Sequence, residues 1–201
     1  MIRARQAEDQ GMSGMANAKV LSRRILLKAP KRFVHERLEM PDKNEIDWYY
    51  LDTPASVMIV PLTESGNLIL VEQFRYNLGL YTLELPAGAL CGDEEPVEAA
   101  KRELFEETGF GLQEGGELIS LGQFYSLPSE TNKQTHLFLA TPVHSLGEPT
   151  GDTEIEEYFG MAVNEVPLDE ALASVGSRIH GMETLGALLL ARDHLAAVHK
   201  Q

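Results

Sequence analysis

Cysteine is nearly missing from this chain: Cys91 stands alone among 201 residues, so no intramolecular disulfide framework holds the fold. Long apolar runs are missing as well. None approaches the roughly eighteen residues needed to span a bilayer. The start, MIRARQAEDQGMSGMANAK, has no apolar stretch after its basic residues, so it does not read as a secretory signal. A cytoplasmic protein is the expectation. Positive charge is scarce, with 17 Lys and Arg against 31 Asp and Glu and a formal net charge of -14. That balance repels nucleic acid and anionic membrane surfaces, so neither is an expected partner. Any polyanionic ligand must be met by a local cation. The six histidines form no HEXXH or Cys/His cluster, which argues against a zinc centre.

What is present, 43% hydrophobic and 24% charged residues, suffices for one domain with a small appendage. Residues 1–17 are small, polar and punctuated by Met, and are expected to form a disordered extension. Residues 18–53 carry short alternating runs, VLSRRILL, RFVHERLEM and IDWYYLD, with a PDKN turn before the last. These predict a small antiparallel sheet. The main domain is expected over 54–201. It opens with two apolar strands, SVMIVPL and NLILVEQFR, joined by TESG. Further strands are expected at GQFYS and THLFLAT, followed by the run EEYFGMAV, and helices at Pro167–Val175, stopped by Gly176, and from Met182 to about Val198. Strands interleaved with helices predict a mixed sheet covered by helices.

The stretch GALCGDEEPVEAAKRELFEETGF, Gly88 to Phe110, is the most informative. Pro96 suits a first helical position, the acidic residues before it suit the helix dipole, and Gly109 suits the stop. At about 100° per residue, Val97, Ala100 and Leu104 share one apolar face. Arg102, Glu103, Glu106 and Glu107 fall within an arc of roughly 140°. Glutamates four apart, such as Glu103 and Glu107, cost a few tenths of a kcal/mol unless something lies between them. Either the face is solvated, or hard divalent cations occupy the gap, for which carboxylate oxygens are natural ligands.

Gly88, Glu94, Arg102, Glu103, Glu106, Glu107 and Gly109, with apolar Leu104 and Phe110, fill the frame GX5EX7REUXEEXGU, where U is apolar. The segment resembles the Nudix box without departure, and a chance match is on the order of one in ten million. The resemblance implies an α/β/α sandwich with a mixed sheet, here preceded by the small N-terminal antiparallel sheet. It also implies hydrolysis of a nucleoside diphosphate linked to another group. Glu103, Glu106 and Glu107 are carried over as ligands of Mg²⁺ or Mn²⁺, with the Ala87 carbonyl as a backbone ligand, and Arg102 as the residue that orients the carboxylates.

The flanks VEQFRYNLGLYTLELPAG and LPSETNKQTHLFLA resemble the ADP-ribose pyrophosphatase branch, although SLPSETN lacks the glycine often found after the proline. GDP-mannose and other nucleotide-sugar pyrophosphatases share much of this pattern, and a non-catalytic, ligand-sensing Nudix regulator is the alternative of another class. Arg75, at the end of an apolar strand, offers a planar fork for phosphate oxygens, with a surface strand-end arginine as its alternative. Trp48 is a candidate for stacking on the nucleobase, with core packing as its alternative. The branch implies a homodimer built through the N-terminal sheet, and a glutamate delivered by a loop late in the chain as base or metal ligand. In GEPTGDTEIEEY that glutamate is expected to be Glu154, with Glu156 two residues on as the fallback. A solvated acidic loop is the alternative.

Overall fold

The protein's structure, a computed structural model, describes residues 18–28, 32–151 and 158–198. It contains strands β1 (Lys19–Leu27), β2 (Arg32–Glu39), β3 (Glu45–Asp52), β4 (Ser56–Thr63), β5 (Asn67–Arg75), β6 (Leu80–Glu84) and β7 (Ala87–Ala89). Helix α1 (Pro96–Thr108) follows, then β8 (Phe110–Tyr125), β9 (Gln134–Ser145), β10 (Met161–Pro167), α2 (Leu168–Ala173) and α3 (Met182–Val198). Among the described residues no helix is long and apolar enough to cross a membrane.

The chain divides into two compact units. The first ends at Thr53 and takes in Leu127–Asn132. Its sheet is antiparallel, in the order β1-β2-β3. Position in the sequence assigns Leu127–Asn132 to the main domain, but hydrogen bonding ties it to β3. Leu51 N–H donates to the Glu130 carbonyl at 2.8 Å, Thr53 N–H to Asn132 Oδ1 at 2.9 Å, and Asn132 Nδ2 to Asp52 Oδ1 at 2.7 Å. The first two satisfy backbone N–H groups at the end of β3 that a sheet edge would otherwise expose, and the third pairs two side chains.

The second unit comprises Pro54–Ser126 and Lys133–Gln201. Its seven-stranded sheet runs β10-β5-β4-β9-β8, with β6 on β5 and β7 on β4. It is mixed because β4 and β9 are parallel while the other pairs are antiparallel. The reason lies in β4, where every residue is buried. A strand covered on both faces reads as a continuous apolar run, and successive side chains go to opposite sides. Val57 and Ile59 join Ile69, Phe138 and the α1 residues Ala99, Ala100 and Leu104 on one side. On the other, Met58, Val60 and Leu62 pack with Leu168 and Ala171 of α2 and Ala187, Leu188 and Ala191 of α3. Helix, sheet and helix therefore form three layers, the α/β/α sandwich.

Two local readings change. Strand β8 runs far upstream of GQFYS, with irregularities between Leu112 and Glu117 and between Ser120 and Gly122. Bulges interrupt the period of two on which strand reading depends. Val97 is 43% exposed, while Ala99 is fully buried. Packing of α1 on the sheet thus centres on Ala99, Ala100 and Leu104 and leaves the first-turn valine outside.

Candidate active site

Strand β7 lies beside β4, with Gly88 opposite Val57, and the chain turns from it into α1. Pro96 sits at the start of the helix, and Gly109 ends it at φ 72°, donating its N–H to the Phe105 carbonyl at 2.8 Å. That left-handed backbone favours glycine. Glu94 does not serve the dipole in the way its position suggests. Its Oε2 accepts from Cys91 N–H at 3.1 Å, and both its oxygens accept from Arg102.

The acidic face is not opposite the buried face; the two overlap along β7. The Glu103 side chain is only 12% exposed and lies against Gly88, where a Cβ would fall 2.0 Å from the Glu103 Cδ. Glu107 accepts the Ala87 N–H at 3.1 Å. The nominated backbone ligand and two of the nominated carboxylates therefore meet in one wedge between α1 and β7. Glycine at 88 admits the carboxylate; any other residue would fill its place.

Arg102 bridges Glu103 and Glu106. Its Nη1 donates to Glu103 Oε1 at 2.7 Å and to Glu106 Oε2 at 2.8 Å, and Nη2 also reaches the Ala89 carbonyl at 3.1 Å. The guanidinium is held further into its charged form, mainly by its hydrogen bonds with Glu94. Those bonds bring the Glu94 carboxyl down to about 2. Glu103 shifts the other way: burial raises it, and Arg102 offsets only part of that cost. A partly desolvated carboxylate among other carboxylates gains from added positive charge.

The donor set suits a hard divalent cation: carboxylate oxygens on successive turns of one helix, with backbone close by and a glycine keeping the space open. Among the described residues, no three His, Cys, Asp or Glu side chains already stand in metal-holding geometry. Arg102 engages oxygens of both Glu103 and Glu106, so all three glutamates bind one ion only if these bonds rearrange.

Arg75 forks onto Glu84 of β6, with Nε donating to Oε1 at 2.8 Å and Nη2 donating to Oε2. The alternation of β5 gave no sign of this partner, since the contact crosses to the neighbouring strand. Trp48 belongs to the first unit, on β3 opposite Glu36, and is 45% exposed. It is not a core residue of its own sheet. Glu154 and Glu156 lie outside the described residues. Glu94 entered the sequence reading as a box position without a partner; the structure pairs it with Arg102, and the signal was its fixed spacing to Arg102 within the box.

The NUDIX domain profile matches residues 52–179. The chain is 35% identical over 143 residues to an ADP-ribose pyrophosphatase of Bacillus subtilis (strain 168), covering 71% of this chain and 74% of that protein. It is 30% identical over 164 residues to a methanol dehydrogenase activator of Bacillus methanolicus, covering 81% and 85%. A crystal structure of an ADP compounds hydrolase superposes with a TM-score of 0.74 at 22% identity, covering 90% of this chain and 95% of that one, and shares its fold. With the box intact from Gly88 to Phe110 and its residues gathered between α1 and β7, the chain belongs to the Nudix hydrolase family.

Proposed function

We propose that this enzyme hydrolyses the pyrophosphate bond of a nucleoside diphosphate linked to a second group, converting ADP-ribose to AMP and ribose 5-phosphate with Mg²⁺ or Mn²⁺. The wedge between α1 and β7 carries the reading, because Glu103 and Glu107 converge there on a backbone that a glycine leaves open. In the reaction, a water oxygen bonds to one phosphorus, the P–O–P bridge breaks towards the other, and a water proton passes to a base. Glu103, Glu106, Glu107 and the Ala87 carbonyl are assigned to hold the cation. When bound, it neutralises the phosphate oxygens that repel an attacking water. Arg102 orients the carboxylates, and Arg75 turns its fork from Glu84 to phosphate oxygens. Glu154, with Glu156 as the fallback, takes the proton, and Trp48 offers a stacking surface for the nucleobase. A chain whose one cysteine is an exposed thiol suits the reducing cytoplasm.

The assay is nucleotide release from ADP-ribose, ADP-sugars, GDP-mannose and diadenosine polyphosphates with Mg²⁺ or Mn²⁺. AMP from ADP-ribose is expected to appear fastest. Faster turnover of GDP-mannose moves the assignment to the nucleotide-sugar pyrophosphatases. If every compound stays intact, the reading fails.

We further propose a homodimer built through the first unit. Its edge strand β1 exposes Ile25, Leu26 and Leu27, the last at 60%. Exposed apolar edge strands are normally covered. Light scattering at assay concentration is expected to give twice the chain mass; a monomer mass overturns the assignment.

A further inference from the structure

The last turn of a helix leaves carbonyls without partners in the helix itself. In α1 one of them belongs to Glu106, whose side chain is assigned to the cation. Two amides from far along the chain meet that carbonyl: Thr150 N–H at 3.1 Å and Gly151 N–H at 2.9 Å. Just before them, Leu146 N–H donates to the Gly109 carbonyl at 2.8 Å. The segment leaving β9 thus seals the end of the helix on which Glu106 and Glu107 sit.

The contact requires glycine at position 151. A Cβ there would fall 2.8 Å from the Glu106 Cβ and 3.1 Å from its carbonyl oxygen. Gly151 is not among the residues with positive φ, so its backbone is open to other residues. What a side chain would remove is the close approach, by pushing against the first carbon of the Glu106 side chain and against the carbonyl that the two amides hold. Supports one step outside a ligand shell fix the direction of the ligands, and their loss typically weakens metal binding about 10- to 100-fold.

We propose that Gly151 is a positioning residue for the carboxylate site: by letting the Thr150 and Gly151 amides close on the Glu106 carbonyl, it aims Glu106 and Glu107 at the cation. This rests on the assignment of those glutamates as ligands. It places a determinant of metal affinity outside the box, well beyond the helix that bears the ligands.

The test compares Gly151→Ala and Gly151→Val with wild type and with Glu148→Gln, an exposed control in the same segment. Mn²⁺ binding to the metal-free protein is followed by loss of the free-ion EPR signal, with thermal unfolding and the Mg²⁺ dependence of turnover measured alongside. Gly151→Val is expected to weaken Mn²⁺ binding about tenfold or more, Gly151→Ala less, and Glu148→Gln not at all. Half-saturating Mg²⁺ should rise in step, with kcat recovering at high Mg²⁺. If Gly151→Val does not fold, Gly151→Ala decides alone. Variants that bind Mn²⁺ within about twofold of wild type overturn the proposal, even where they melt earlier. If wild type takes up no Mn²⁺ that Glu106→Gln and Glu107→Gln abolish, the ligand assignment fails and the proposal falls with it.

Discussion

Arg102 and Glu94, one on α1 and one in the loop that leads into it, form a two-pronged pair: Nε donates to Oε1 at 2.9 Å and Nη2 to Oε2 at 2.8 Å. The remaining nitrogen reaches Glu103 and Glu106. A single planar cation therefore ties the loop to the helix and holds two like charges one turn apart. This explains how the face tolerates carboxylates that would otherwise repel.

Arg102→Lys keeps the charge and loses the fork, because an ammonium cannot address two carboxylates bidentately. Activity is expected to fall about 10- to 100-fold, with a rise in the Mg²⁺ needed for half-maximal rate. Titration of turnover against Mg²⁺ checks this; an unchanged curve means that charge alone suffices.

Glu107→Gln preserves size and leaves an oxygen to accept the Ala87 N–H. The fold should persist, with a melting temperature equal to or slightly above that of wild type once like-charge repulsion is relieved. Turnover should drop by about 100-fold or more, and a rate within about threefold of wild type excludes Glu107 as a principal ligand.

The layered fold was legible because β4, β5 and α1 carry strong patterns: apolar runs bounded by turns, and a helix framed by Pro96 and Gly109. Less visible were features that depend on what lies alongside. Glu103 and Glu107 read as an outer face because a helical wheel has no knowledge of β7, which turns that flank into a wedge. The Arg75–Glu84 fork depends on the register of β5 and β6, in which Val71 pairs with Glu84 and Arg75 with Leu80. The amides that seal α1 come from Thr150 and Gly151, and nothing in the periodicity of either segment links them.

Gly88→Ala places a methyl group where the Glu103 carboxylate lies, 2.0 Å from its Cδ. Either β7 or the carboxylate must move. A loss of about 1–3 kcal/mol in stability is expected from overpacking, along with loss of most activity. Urea unfolding and the ADP-ribose assay measure the two, and retention of both contradicts the wedge geometry.

Glu154 lies beyond the described residues, but the flanks of its segment are placed. Gly151 sits on the Glu106 carbonyl, and Phe159 packs on Phe74 and Tyr76 with ring centroids 5.8 and 6.1 Å apart. Glu154→Gln is expected to lower kcat by about 100-fold or more with little change in KM, the effect of losing a general base. An active Glu154→Gln beside an inactive Glu156→Gln moves the role two residues on. Activity in both removes the segment from the chemistry.

Glu183 supplies a pH signature away from the box. Its carboxylate, at the start of α3, accepts from Ser126, from Lys133 Nζ at 3.1 and 3.3 Å, and from Thr135 at 3.4 Å. Burial alone would raise its pKa, but the Ser126 hydrogen bond, the Lys133 charge and the remaining bonds outweigh it, so the group lies below its ordinary 4.5. A carboxyl depressed in the folded state binds protons more weakly there than when unfolded, so its contribution to stability is complete above the unfolded value. That contribution fades as pH falls through the lower, folded value. Glu183→Gln removes the charge and keeps an acceptor. At about pH 7 the variant should be less stable by roughly 1 kcal/mol, or about 2–4 °C in Tm for a domain of this size. As pH falls through the folded value wild type loses its advantage, and the two melting curves should approach each other. A gap in Tm that stays constant from neutral to acid pH means that the Lys133 and Ser126 contacts do not depend on the charge of Glu183.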